Sequence, residues 1–130
     1  MPRRALTAVL AVAAVAALSA CGSRSIEVSK SDPTYRGAQL FAERCSGCHT
    51  LDSVGTEGSA TKVRDRERVD GPNFNTRKEA VDQVLYAIRN GGFSGAIMPE
   101  NIVVGRDARA VAEFLAKYAG KDAPRQGAAG

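Results

Sequence analysis

The residues of this sequence best equipped for chemistry stand together, in Cys45-Ser46-Gly47-Cys48-His49. Two thiols at i and i+3 lie about one helical turn apart, and an imidazole follows directly. That spacing lets both sulfurs reach two vinyl groups on one edge of a porphyrin while the imidazole meets the iron, so C-x-x-C-H reads as covalent attachment of one c-type haem. Three other readings compete. A structural zinc site wants four ligands, usually in Cys-rich pairs, and here only Cys45, Cys48 and His49 are grouped. A dithiol redox site belongs in a βαβ setting, and no strand pattern is visible. A plain disulfide across two intervening residues is the third.

The iron has a second axial position, and few residues can fill it. His49 is the single His, and of the two Met residues one is the initiator, which leaves Met98. It lies in Gly91-Gly92-Phe93-Ser94-Gly95-Ala96-Ile97-Met98-Pro99, a glycine-rich stretch able to bring a side chain close to a planar cofactor. A Met filling a gap in the core is the competing reading. Lys62, Asn101 or an open position are the alternatives at the iron.

The elements that must position these residues are helical. Asp32-Pro33 is a helix start, Asp as N-cap and Pro as first helical residue. Gly37, Leu40, Phe41 and Arg44 then fall at helical spacing, which predicts a helix over 33–44. Thr76 and Glu79 form a T-x-x-E capping box. Behind it Val81, Val84, Leu85 and Ile88 make one apolar stripe, stopped at Asn90-Gly91-Gly92. A third helix is expected from near Arg106, with Val111, Phe114, Leu115 and Tyr118 on one face and Gly120 at its end. Between the first two helices the pattern dissolves, and 62–70 is an alternating-sign charge run expected to be a solvated loop. No period-2 alternation appears, so the domain is read as all-α.

With 130 residues, four Phe, three Tyr and no Trp, the chain has room for one domain with a thin apolar core. A large apolar cofactor at its centre would help such a domain to fold. The formal charge is +4; without Arg3 and Arg4, 16 cations face 14 anions, a net +2. Basic residues are not clustered with aromatics, which argues against a nucleic-acid surface.

The N-terminus reads as an address. Arg3-Arg4 precedes an uncharged run over 5–18, suited to a signal-peptide core and short for a membrane span. Leu18-Ser19-Ala20-Cys21 looks like a bacterial lipobox, in which Cys21 is diacylated and becomes the new N-terminus; ordinary cleavage near Ala20 and an uncleaved signal anchor are the alternatives. Two acyl chains suffice for stable anchoring. The expected organisation is therefore a lipoprotein signal peptide over 1–20, lipidated Cys21 and a flexible tether over 21–31, the domain over 32–120, and a disordered tail over 121–130. The protein is expected to be exported and held at the extracytoplasmic face of a bacterial membrane.

Over roughly 32–120 the chain resembles the class I c-type cytochromes. The matching pieces are Gly37-Ala38-Gln39-Leu40-Phe41 ahead of Cys45-Ser46-Gly47-Cys48-His49-Thr50, then Gly71-Pro72-Asn73-Phe74, Ile88-Arg89-Asn90-Gly91-Gly92 leading to Met98-Pro99, and Phe114-Leu115. The resemblance implies a small cytochrome c fold, about three core helices wrapped around one covalent haem. It implies that the Pro72 carbonyl accepts a hydrogen bond from the His49 ring, and that Gly37 and Phe41 meet Phe114 where the first and last helices cross. It departs from the smallest members in the long, charged stretch between His49 and Gly71. The function implied is that of a membrane-anchored monohaem cytochrome passing single electrons between respiratory-chain partners such as a dehydrogenase and a terminal oxidase. A haem c subunit of a larger oxidoreductase or oxidase, and a haem-based sensor, are the other readings. With both axial positions filled, neither enzymatic activity nor a small-molecule substrate is expected.

Overall fold

The computed structural model describes residues 25–60, 62–93 and 97–122. Three helices make its frame: α1, Tyr35–Arg44; α2, Val81–Asn90; and α3, Gly105–Tyr118. α1 crosses α3, and α2 packs on α3 as well. The closeness of the first crossing follows from Gly37. A Cβ there would overlap the Ala110 carbonyl oxygen and come within 2.6 Å of Phe114 Cβ. Phe41, one turn on, meets Phe114 with ring centroids 6.0 Å apart, and both rings are fully buried with Leu51 and Val111.

α1 begins two residues later than expected. Asp32 starts it without being its cap: Asp32 Oδ1 accepts hydrogen bonds from the Thr34 N–H and hydroxyl, at 2.8 and 2.7 Å, and Thr34 takes the cap position. The other carboxylate oxygen of Asp32 accepts from Lys117 Nζ and from the Tyr118 hydroxyl, both at 2.7 Å, so the start of α1 is clasped to the end of α3.

The expected Thr76/Glu79 capping box does not form. Thr76 Oγ1 donates to the Asn73 carbonyl, Glu79 pairs with Arg77, and α2 starts after Ala80, whose N–H donates to Gln83 Oε1 at 3.3 Å. The competing interaction is tertiary: residues 71–75 are pinned on both sides, which delays the helix. Gly71 N–H donates to the Cys48 carbonyl and Phe74 N–H to Thr50, while Gly120 N–H and Asp122 N–H donate to the carbonyls of Phe74 and Asn75. The first two residues of the expected tail are thus held at the body; 123–130 lie outside the described residues. α2 does stop as expected, at Gly91 with φ +67°, a conformation that costs glycine little.

A small sheet joins the helices where none was expected. β1, Thr50–Leu51, pairs antiparallel with β2, Thr56–Glu57, around a 3₁₀ turn at Asp52–Val54. Two-residue strands are too short to show a period-2 pattern. Polar groups hold them, with Thr56 Oγ1 accepting from Leu51 N–H at 3.0 Å and Thr50 Oγ1 accepting from Ser59 N–H at 3.0 Å. In the charged loop Lys62 and residues 64–69 are exposed as expected and Asp70 is half-buried, with a short 3₁₀ turn at Val63–Asp65.

Part of the expected tether is folded onto the body. Val28 is buried, Ile26 packs against the core, and Glu27 N–H donates to the Ser53 carbonyl at 2.9 Å. Cys21 and the signal segment lie outside the described residues. Among those described, no helix is long and apolar enough to cross a membrane.

Candidate functional site

The backbone keeps turning after α1. Cys45 N–H donates to Phe41, and the N–H groups of Cys48 and His49 both donate to the Cys45 carbonyl, at 3.2 and 3.0 Å. This turn carries the thiols of Cys45 and Cys48 at one-turn spacing, and both are free of any disulfide. Cys45 is half-buried and Cys48 exposed. Burial above all, and then the neighbouring Cys48, push the Cys45 thiol up to about 12, so it stays protonated near neutrality.

His49 is held on three sides. Its Nδ1 lies 3.1 Å from the Pro72 carbonyl oxygen. A carbonyl can only accept, so Nδ1 carries the proton and Nε2 keeps a lone pair. The ring stacks on Phe74 at 4.8 Å between centroids, and Phe41 stands 6.3 Å away. Gly71 lies flat against it, since a Cβ there would sit 2.5 Å from Nδ1. Burial lowers the His49 pKa; the bond to Pro72 works against this, and the positive charge of Arg77 adds to it. The imidazole is therefore neutral with a free lone pair, the form a metal ligand needs.

Met98 lines the same cavity as His49. The Met98 carbonyl folds back on Gly91, where a Cβ would lie 2.7 Å from it, and the Met98 side chain is half-buried against the core. Cys45, Cys48, His49, Pro72 and Met98 all line one cavity of about 350 Å³. Lys62 and Asn101 do not line it: Lys62 is on the exposed loop, and Asn101 is exposed with φ +54°. The rest of the wall is mainly apolar, with Phe41, Phe74, Val84, Ile88, Val111 and Leu115 among its members. At its edge Val69, Phe93 and Ile97 are 49%, 49% and 52% exposed, so the cavity opens to solvent there. Among the described residues no group of three or more His, Cys, Asp and Glu could hold a metal ion, which disfavours the zinc reading.

Volume and donor set fit a covalent haem. Cofactor sites run from about 300 to 1,000 Å³ and are mostly apolar with few placed polar groups. Here two free thiols, a neutral imidazole and a thioether border one apolar space. Among the wall residues that the sequence does not assign to the site are Arg77 and Glu79. Glu79 was read as a helix cap, and no local pattern signals that its side chain faces inward.

Three helices closing over an apolar cavity, with a C-x-x-C-H turn at its wall, define a small helical haem-attachment domain. The chain matches the Cytochrome c family over residues 35–119, and it belongs to that family. It accordingly binds haem c covalently, and its role is haem-based electron transfer with redox protein partners. Comparisons with curated proteins and with solved structures gave no match.

Proposed function

We propose that this protein is a monohaem electron carrier tethered by lipid to the extracytoplasmic face of a bacterial membrane, passing single electrons between respiratory-chain partners. In this reading Cys45 and Cys48 would bind the haem as thioethers, and His49 and Met98 would ligate its iron. The observation that carries it is the convergence of these four side chains on one cavity, with the His49 ring already oriented by Pro72. Bound there, the haem iron supplies a one-electron ferric–ferrous couple, whose potential His/Met ligation raises. The protein's own part is to fix the imidazole, present the thioether, and keep bulk water off most of the cavity. Val69, Phe93 and Ile97 at the cavity edge, with Arg68 beside them, offer the face where electrons leave, toward a partner with an acidic rim. The lipobox at Leu18-Ser19-Ala20-Cys21 supports the membrane location.

The absorption spectrum tests the ligand set. Met98→Ala should abolish the ferric charge-transfer band that methionine ligation produces, and leave covalent haem content near wild type. A band that survives the substitution overturns the role of Met98.

A further inference from the structure

One carboxylate at the cavity has no part in holding the haem. The side chain of Glu79 is only 4% exposed, and its Oε1 makes no hydrogen bond. Arg77 Nε lies 2.6 Å from that oxygen, close enough for an ion pair but off the hydrogen-bond axis. Burying a carboxylate is costly; the Arg77 charge offsets part of that cost, and neutralisation by a proton would relieve the rest. Arg77 itself is about half exposed and also stands over the Phe93 ring, at 5.9 Å. The pair thus joins the cavity interior to its solvent edge.

The remaining charged and titratable groups on the cavity wall are few. The end of α1 and the turn after it give Arg44, Cys45, Cys48 and His49, and the charged loop gives Arg68 and Asp70. The parts of α2, α3 and residues 92–102 that line the cavity are uncharged. Glu79 is therefore the one acid among the described wall residues that is both nearly enclosed and without an aligned hydrogen bond.

We propose that Glu79 is the proton partner of the transferred electron, binding a proton as the haem is reduced and releasing it on oxidation. The inference rests on the haem occupying this cavity. The redox partner supplies the electron and solvent supplies the proton; the carboxyl O–H bond is the only bond made. An electron entering the cavity removes one positive charge from Glu79's surroundings, and in a weakly polar space that change is poorly screened. The carboxylate's proton affinity then rises. Burial already lifts Glu79 above an ordinary glutamate, with Arg77 opposing, so the titration is displaced toward neutral pH. Since the reduced form holds its proton more tightly, the midpoint potential must fall as pH rises between the oxidised-state and reduced-state pKa values, and level off on either side.

The test uses the haem-loaded protein, with covalent haem content measured first. Potentiometry from acid to neutral pH should show the falling region in wild type and its loss in Glu79→Gln. Redox-difference infrared spectra should show a protonated carboxyl band that appears on reduction and is missing from Glu79→Gln. Arg77→Gln, which removes the opposing charge, should move the falling region to higher pH, and it tests the idea independently if Glu79→Gln does not fold. A slope or carboxyl band that persists in Glu79→Gln, as the haem's own carboxylates would give, overturns the proposal, as does an unmoved profile in Arg77→Gln. A wild type lacking covalent haem would instead defeat the cavity reading itself.

Discussion

An imidazole serves as an iron ligand only when its free nitrogen is fixed in direction. Three neighbours do this for His49: the Pro72 carbonyl holds Nδ1, Phe74 covers a ring face, and Gly71 leaves room for the ring. Gly71 is the sharpest probe of the three. Gly71→Ala would place a methyl 2.5 Å from Nδ1, so the ring must move and the bond to Pro72 must stretch or break. Overpacking of this kind costs about 1–3 kcal/mol. The expected result is a lower denaturation midpoint together with a changed haem spectrum. A variant matching wild type in both would show that Gly71 does not set the ring's position. The attachment motif was legible because the thiols and imidazole are adjacent in sequence, and elimination pointed to Met98, which the fold places at the same cavity. Glu79 was not legible, because its burial is decided by how residues 71–75 are pinned, and those partners lie at Cys48, Thr50, Gly120 and Asp122.

Between elements, the crossing of α1 and α3 depends on a short contact at Gly37 and on a polar clasp at Asp32. Lys117 first, then the Thr34 N–H and the Tyr118 hydroxyl, hold the Asp32 carboxyl well below its ordinary 3.8. Its two side-chain partners on α3, Lys117 and Tyr118, move the other way, each raised chiefly by its bond to Asp32. A carboxylate depressed in the folded state adds stability above its unfolded pKa and loses it as pH falls through the folded value. Stability of the wild type should therefore drop below about pH 4, whereas Asp32→Asn should be less stable at neutral pH and show a shallower acid loss. Parallel acid profiles for the two proteins would remove the clasp from the account. The helices themselves could be read from apolar spacing, and α3 falls within one residue of its expected start. Their starts were less legible, since Thr34 rather than Asp32 occupies the cap and Gln83 rather than Glu79 closes the first turn of α2. β1 and β2 were invisible because two residues are too short to show an alternating pattern; their backbone pairing is supported by hydrogen bonds that the Thr50 and Thr56 hydroxyls accept.

At the scale of the whole molecule, the segment that leads toward the proposed anchor decides how freely the domain can move. Ile26 and Val28 are packed on the body, and Glu27 is bonded to Ser53. Only residues 22–25 then separate Cys21 from the first packed side chain. Five Cα steps span at most about 18 Å at full extension, less than the length of a helix of fifteen residues. If Cys21 carries the proposed lipid, a domain on so short a leash would stay beside the bilayer and would serve only partners whose docking surface lies close to the same membrane. Cys21→Ser should shift the protein from the membrane to the soluble fraction while leaving its haem spectrum unchanged, because Cys21 is remote in sequence from Cys45, Cys48 and His49. Inserting a flexible Gly/Ser segment after Gly22 should keep the protein membrane-bound but change the rate at which membranes containing its partners oxidise it. A Cys21→Ser variant that remains with the membrane would overturn the lipid anchor. An insertion that leaves the oxidation rate unchanged would show that reach does not limit the encounter.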